Sequence, residues 1–278
     1  MKGIMVMGTA SDVGKSLVCT AFCRLLAEEG IRTAPFKSQN LSPYSVPASD
    51  GIPISRAQAI QAEAARTEAV SAMNPIILQP GPDGILTGTF CGRPLMPTDG
   101  LAYREQYFEE ALRTIRSSLD TLAAAYDALV IEGAGSPVEM NLRDRDITNM
   151  RIAEMADVPV ILVADIDRGG VFASIAGTLA LLRPNERARV KAIVINQFKG
   201  DPASFRDGVE WLESYTGIPV AGIIPHLPAH GIAEEDADRE IAAYTAGGDK
   251  YDGWAAHVRK AVDWPFIRSL IDGGEGRP

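Results

Sequence analysis

The residues best equipped for chemistry stand together near the N-terminus: Gly8, Gly14, Lys15 and Ser16, in the run GTASDVGKS. An apolar run precedes them, and residues at helical spacing (Leu17, Phe22, Leu25, Leu26) follow, so the stretch reads as strand, phosphate loop and helix. Unpaired N–H groups at the start of such a helix converge on one point with the helix dipole behind them, and a phosphate fits there. Gly8 and Gly14 allow backbone conformations that a side chain resists, Lys15 places a positive charge by the outer phosphates, and the Ser16 hydroxyl is a magnesium ligand. The nucleotide-binding candidates are Gly8, Thr9, Asp12, Val13, Gly14, Lys15, Ser16 and Leu17, with ATP or GTP as the ligand. The spacing departs from the usual motif, because five residues rather than four separate Gly8 from Gly14.

The elements that must hold this loop repeat along the chain. IRTAPF ends in the loop that carries Lys37, Gln39 and Asn40, and YDALVIEGAGSP ends in Glu132. VPVILVADIDRGG ends in Asp165 and Asp167 beside Arg168, RVKAIVINQFKGD in Asn196, and GIPVAGIIPHLP near His226. Helical periodicity over Val171–Leu182 and Pro202–Thr216 separates the later runs. Strands alternating with helices imply right-handed crossovers and an α/β, P-loop NTPase-like fold, with a mainly parallel sheet and helices on both faces. Ligands bind at the carboxyl edge of such a sheet, where these polar residues gather.

Each candidate has a plainer alternative. Lys37, Gln39 and Asn40 are ligand contacts or a polar surface loop; Glu132 holds magnesium, directly or through water, or caps the turn that follows. Of Asp165 and Asp167, one touches metal or substrate while the other pairs with Arg168. Arg143, Arg145 and Asp146 form a substrate contact or a solvated salt-linked face. His226 and His230 read as surface residues, and His257 as structural.

Between these runs, residues 41–54 read as a loop carrying Asp50, and Ser55–Thr67 as an alanine-rich helix capped by Ser55. MNPIILQPGPDG and ILTGTFCGRPL read as extended pieces, and Tyr103–Ala125 as one long amphipathic helix. From Ala233 the chain turns acidic and glycine-broken, then resumes an amphipathic helix interrupted at Pro265, and GGEGRP is expected to be a disordered tail. This divides the chain into residues 1–228, the nucleotide-binding domain, and 229–278, an acidic linker with a helical tail.

Composition sets outer limits. With 278 residues, 46% hydrophobic and 23% charged, the chain can bury a substantial core. A net charge of −9 argues against nucleic acid as the main partner, and no apolar run approaches membrane-spanning length, so a cytoplasmic enzyme is expected. Cys19, Cys23 and Cys91 have no metal-ligand spacing; the first two, four apart on the first helix, read as core residues.

Several stretches resemble the amidoligase part of cobyric acid synthase, within the superfamily that includes dethiobiotin synthetase. They are GTASDVGKS, APFKSQN, RAQAIQAEAA, MNPIILQP, VIEGAGSPVEMNLRDRDITNM, VILVADIDRGGVFASIAGTLALL and VINQFKGD, spread from the N-terminus to about Pro228. The resemblance implies ATP and Mg2+ as cofactors and a large polycarboxylate of the corrinoid type as the small-molecule substrate, activated as an acyl phosphate that ammonia attacks. By family position Lys15 and Ser16 are then the phosphate and magnesium residues, Asp50 and Glu132 further metal candidates and Asn196 the adenine reader; with Lys37 and Asp165, taken from their strand ends, Lys15 makes up the catalytic candidates. Where the family reads Asp-Gly-x-Glu-Ile-Gly-Arg-Ala-Gln, this chain has DGIPISRAQ, with Pro53 and Ser55 replacing Glu and Gly.

Full-length family members also carry a glutaminase domain, which needs a nucleophilic cysteine on a sharp turn and a histidine base; none of Cys19, Cys23 and Cys91 sits in such a turn, and the histidines are His226, His230 and His257. YDGWAAHVRKAVDW resembles the helix that closes full-length members, so the glutaminase domain is expected to be missing between about Asp238 and Lys250. A separate glutaminase subunit and a homodimer are the candidate protein partners. The rival readings are a dethiobiotin-synthetase-like carboxylase and a P-loop regulatory ATPase; the latter is disfavoured because Thr9–Val13 contains no extra lysine.

Overall fold

A six-stranded sheet forms the centre of the computed structural model, which describes residues 1–42, 44–81, 84–233 and 249–274. The chain begins β1 (Gly3–Gly8), α1 (Lys15–Glu28), β2 (Thr33–Phe36) and β3 (Gln39–Leu41). A hairpin of β4 (Ser45–Pro47) and β5 (Pro53–Ser55) leads into α2 (Arg56–Ala64). Then come β6 (Ile76–Pro80), β7 (Ile85–Phe90), β8 (Arg93–Pro94), β9 (Thr98–Asp99), α3 (Gly100–Gln106) and α4 (Phe108–Ala125). The second half runs β10 (Ala128–Glu132), α5 (Met150–Ala156), β11 (Val160–Asp165), α6 (Val171–Leu181), α7 (Pro184–Arg187), β12 (Val190–Phe198), α8 (Arg206–Thr216) and β13 (Val220–Pro225). Two helices, α9 (Asp249–Ala261) and α10 (Trp264–Ile271), close the described chain.

The central sheet has the order β13-β12-β11-β1-β10-β2, and every neighbouring pair is parallel. Strands buried on both faces need continuous apolar runs, which is why β1 and β10 are buried at every position. Alternation along β1 divides the core into two layers. Ile4 and Val6 pack with α1, α9 and α10, whereas Met5 and Met7 pack with α4, α5 and α6. The expected mainly parallel sheet with helices on both faces is thus present. Cys19 and Cys23 are fully buried in the α1 layer.

A second sheet, β3-β6-β7-β8 with β9 on β7, sits beside the carboxyl edge; β3 and β6 are parallel and the other pairs antiparallel. Part of the expected loop 41–54 is therefore strand, because β4 and β5 pair between Pro47 and Pro53. The helix expected over Tyr103–Ala125 is two helices. Asp99 caps α3 by accepting from Leu101 N at 2.9 Å and Ala102 N at 2.8 Å, and the chain bends at Tyr107, whose ring packs 5.9 Å from Tyr103 and 5.8 Å from Phe90. Tertiary aromatic packing decides where that pattern breaks. Ser55 does cap α2, accepting from Gln58 N at 3.4 Å.

The closing helices share the α1 layer of the core. Trp254 donates from its indole to Leu17 O at 2.7 Å, Trp264 packs 5.5 Å from Phe22, and the buried Tyr251 donates to Glu63 at 2.8 Å. Pro265 stands in the first turn of α10, which Asp263 caps. Most of the acidic linker, the boundary near Asp238 and the last four residues lie outside the described residues. No helix among the described residues is long and apolar enough to cross a membrane.

Candidate functional site

The phosphate loop connects β1, in the middle of the sheet, to α1. Gly14 precedes the helix at φ 89°, and no side chain caps it, so the first-turn amides stay open to an anion. A Cβ at Gly14 would overlap the side-chain amide of Asn196. That amide donates to Val13 O at 2.9 Å, so Asn196, itself 2% exposed, props the loop from behind. Gly8 is needed for a different reason than expected: its φ is not positive, and a Cβ there would lie 2.6 Å from Val13 and 2.8 Å from Ala10 O. Close packing under the loop, not an unusual conformation, fixes that position.

Lys15 folds over its own loop, donating to Ala10 O at 2.9 Å. Burial pulls its pKa down, against the attraction of Glu132, and the neighbouring charge of Lys37 adds to the lowering. Thr9 is tied to β11 through Val163 O at 2.9 Å. Asp12 sits at φ 56° on the exposed crest, 3.6 Å from Arg168, which also reaches Asp165 at 3.2 Å.

Glu132, at the carboxyl end of β10, is the hub. Its Oε1 accepts from Ser16 Oγ at 2.8 Å and from Lys37 Nζ at 3.1 Å, and its Oε2 accepts from Gln61 Nε2 at 2.6 Å. The carboxylate is 1% exposed. Burial raises its pKa, but Lys37, the hydrogen bonds from Ser16 and Gln61, and Lys15 outweigh that, and the net shift is downward. Four elements thus meet on one anion: α1, the loop after β2, α2 and β10.

A cavity of about 450 Å3 opens over this cluster. Of the sequence candidates, Asp12, Gly14, Lys15, Ser16, Leu17, Lys37, Asn40 and Glu132 line it, and Gln197 joins them. Asn196 stands behind the loop and not on the cavity, and Asp50 and Asp165 also lie outside its lining. Asp50 lies in the turn between β4 and β5 and accepts from Ser71 N at 2.9 Å and Ile52 N at 3.2 Å. Asp165 is occupied by Arg168 and by Asp167 N at 2.7 Å, and Asp167 pairs with Lys199. Arg143 pairs with Glu186 at 2.6 Å, and Asp146 accepts from the backbone of Thr148 and Asn149 ahead of α5.

His226 meets the side chain of Gln197, and His257 meets Pro225 O at 2.8 Å. Gln61, which holds Glu132, and Gln197, which lines the cavity, were not singled out from sequence. The available signal for Gln61 was its place three residues after Gln58 on a helix whose apolar residues share that face; both glutamines are buried.

The hard oxygen donors Ser16 Oγ and Glu132 suit Mg2+, which binds through one or two carboxylates while phosphates and waters fill its shell. Gln61 donates its amide N–H to Glu132, and its own Oε1 has no hydrogen-bond partner among the described residues. The residues present fit the ion. Asp50, held by two backbone amides, does not join them here.

Residues 4–239 match the family model described as the CobQ/CobB/MinD/ParA nucleotide binding domain. The chain is 52% identical over 234 residues to a cobyric acid synthase of Geobacillus thermodenitrificans, covering 84% of this chain and 47% of that protein. It is 53% identical over 224 residues to a cobyric acid synthase of Klebsiella pneumoniae, covering 81% and 44%. It spans about half the length of the curated relatives it matches. A signal recognition particle receptor FtsY from Elizabethkingia anophelis, in complex with GDP, superposes with a TM-score of 0.48 at 16% identity, over 80% of this chain and 56% of that one. With a matched family model across most of its length, this chain belongs to the CobQ/CobB/MinD/ParA nucleotide-binding domain family, and it is about half identical to the matching part of cobyric acid synthases.

Proposed function

We propose that this chain is an ATP-dependent amide ligase of cobalamin biosynthesis, which converts a corrinoid carboxylate to an acyl phosphate that ammonia then attacks. The observation that carries the reading is the meeting of Lys15, Lys37, Ser16 and Glu132 at one sheet edge, two ammonium groups against one buried carboxylate. Hydroxide leaves a carboxylate poorly and phosphate leaves well, so the cell's nucleotide must phosphorylate the acid before nitrogen can enter. Open first-turn amides of α1 and Lys15 would hold the transferred phosphoryl group, and Lys37 would neutralise the attacking carboxylate, a role in which positioning and electrostatics do most of the work. Ser16 and Glu132 would hold Mg2+, which when bound would spread phosphate charge.

For this chain by itself, nitrogen is expected from free ammonium. Cys19 and Cys23 are buried with thiols pushed up in pKa, and the half-buried Cys91 faces Ser118 at 3.9 Å, its thiol also raised by burial. None has the histidine contact that would activate it among the described residues. A separate glutaminase subunit would change the nitrogen source and not the phosphate chemistry.

The test is trapping. Incubation with ATP, magnesium, a corrinoid acid and hydroxylamine should give a hydroxamate and ADP in equal amounts. ADP formation that ignores corrinoid acids and responds to a diamine with bicarbonate would instead select the carboxylase reading, and turnover indifferent to every substrate the regulatory one.

A further inference from the structure

The cavity over Lys15 continues into a second one of about 330 Å3, and Gln39, Leu41, Ala134 and Gly135 line both. The nucleotide chemistry leaves this second cavity unused. Its wall is aromatic, built by Tyr103, Tyr107 and Phe108, with Tyr103 stacked on Tyr107. Leu41, on the boundary between the two cavities, is 55% exposed, a large apolar side chain at a site open to a ligand.

Three arginines line the same cavity, Arg104, Arg143 and Arg145. Arg145 donates to the backbone oxygen of Arg104 at 2.8 Å, which sets the two residues side by side. Neither has a carboxylate partner among the described residues, whereas Arg143 on the same cavity is paired with Glu186. Of the acids there, Asp146 is occupied by backbone amides, and Glu139 is exposed. In a chain of net charge −9, adjacent arginines without acidic partners, beside an aromatic wall, form a receptor for carboxylates on an apolar body. At the junction, Tyr103 donates to Gln39 Oε1 at 2.6 Å, which fixes that side chain and leaves its amide N–H groups to donate.

We propose that this second cavity is the acceptor subsite. The apolar edge of a ring-sized polycarboxylate lies against Tyr103, Tyr107 and Phe108, its non-reacting arms pair with Arg104 and Arg145, and one arm passes Gln39 and Gly135 to reach Lys37. The volume admits an edge and an arm of such a molecule, with the rest of the ring outside. The identity of the ring as a corrinoid rests on the ligase reading above; the carboxylate-and-ring chemistry rests on the cavity.

Equilibrium dialysis tests it, because corrinoids are coloured. The full chain and the Arg104→Ala/Arg145→Ala variant are each dialysed, with a non-hydrolysable ATP analogue, against a corrinoid with free carboxylates and against a fully amidated one. The expected result is a loss of about tenfold or more in affinity for the acid in the double variant. Affinity for the amidated corrinoid and for the ATP analogue should stay unchanged, and Arg104→Lys/Arg145→Lys should recover part of the loss. Equal binding of the acid by parent and double variant overturns the subsite and leaves the ligase reading standing. Failure of the parent to bind any corrinoid acid overturns both.

Discussion

Lys37 Nζ lies 3.1 Å from Oε1 of Glu132, and both side chains are sealed from solvent, at 7% and 1% exposure. A buried carboxylate is tolerated only where cations and donors surround it, and here Lys15, Ser16 and Gln61 complete the set. The phosphate loop, the loop after β2 and α2 are thereby held to the end of one strand.

Glu132→Gln keeps the shape and removes the charge that Lys37 and Lys15 answer. Leaving those ammonium groups without their counter-ion should cost about 3–5 kcal/mol of stability, and Glu132→Gln/Lys37→Met should regain part of it. Denaturant unfolding measures both. The sign with pH follows from the lowered pKa: the ionised carboxylate stabilises fully above its ordinary 4.5, and that contribution is lost as pH falls through the folded value. The parent's Tm should therefore drop below that pH, with a shallower acid limb in Glu132→Gln.

Lys15→Ala should lower nucleotide turnover about 10²–10³-fold or more, because it deletes the charge facing the outer phosphates. The fold should stay intact, because Lys37, Ser16 and Gln61 still hold Glu132 and the Lys15 side chain is no part of the apolar core. Turnover near the parental rate in a folded Lys15→Ala protein would remove the phosphate loop from the account.

Asn196→Ala deletes the hydrogen bond under Val13 O and should weaken nucleotide binding about 2–10-fold by loosening the loop. A prop acts on every nucleotide, so ATP and GTP should lose affinity equally in a fluorescent-nucleotide competition. Loss confined to ATP would make this side chain a reader of adenine.

Trp254→Ala should destabilise the fold by about 3–5 kcal/mol, because the indole fills the layer over α1 and also donates to Leu17 O. A melting temperature within a degree or so of the parent would mean that α9 is not part of the core.

Much of this site could be read from sequence because its residues stand at the ends of continuous apolar runs. Lys37 follows β2, Glu132 ends β10 and Asn196 lies near the end of β12, and a parallel sheet brings strand ends to one edge. Gln61 could not be read the same way: in an alanine-rich helix a glutamine looks solvated, and only the packing of α2 turns it onto Glu132. Asp50 carried a metal role by its place in a motif, but its carboxylate is taken by backbone amides of its own turn and of Ser71. The break at Tyr107 was invisible because both halves of that helix share one amphipathic period, and the bend comes from rings on β7 and α3. The arginines of the second cavity read equally well as a solvated face until the fold set them against an aromatic wall.

The most direct measurement is the nitrogen balance of the purified chain with ATP, magnesium and a corrinoid acid, with the product amide read by mass spectrometry from labelled ammonium or labelled glutamine. The account predicts label in the amide from ammonium, matched by ADP and abolished by chelating the metal, and none from glutamine alone. Absence of amide from ammonium with every corrinoid acid tried, under conditions where the chain binds ATP, would contradict it.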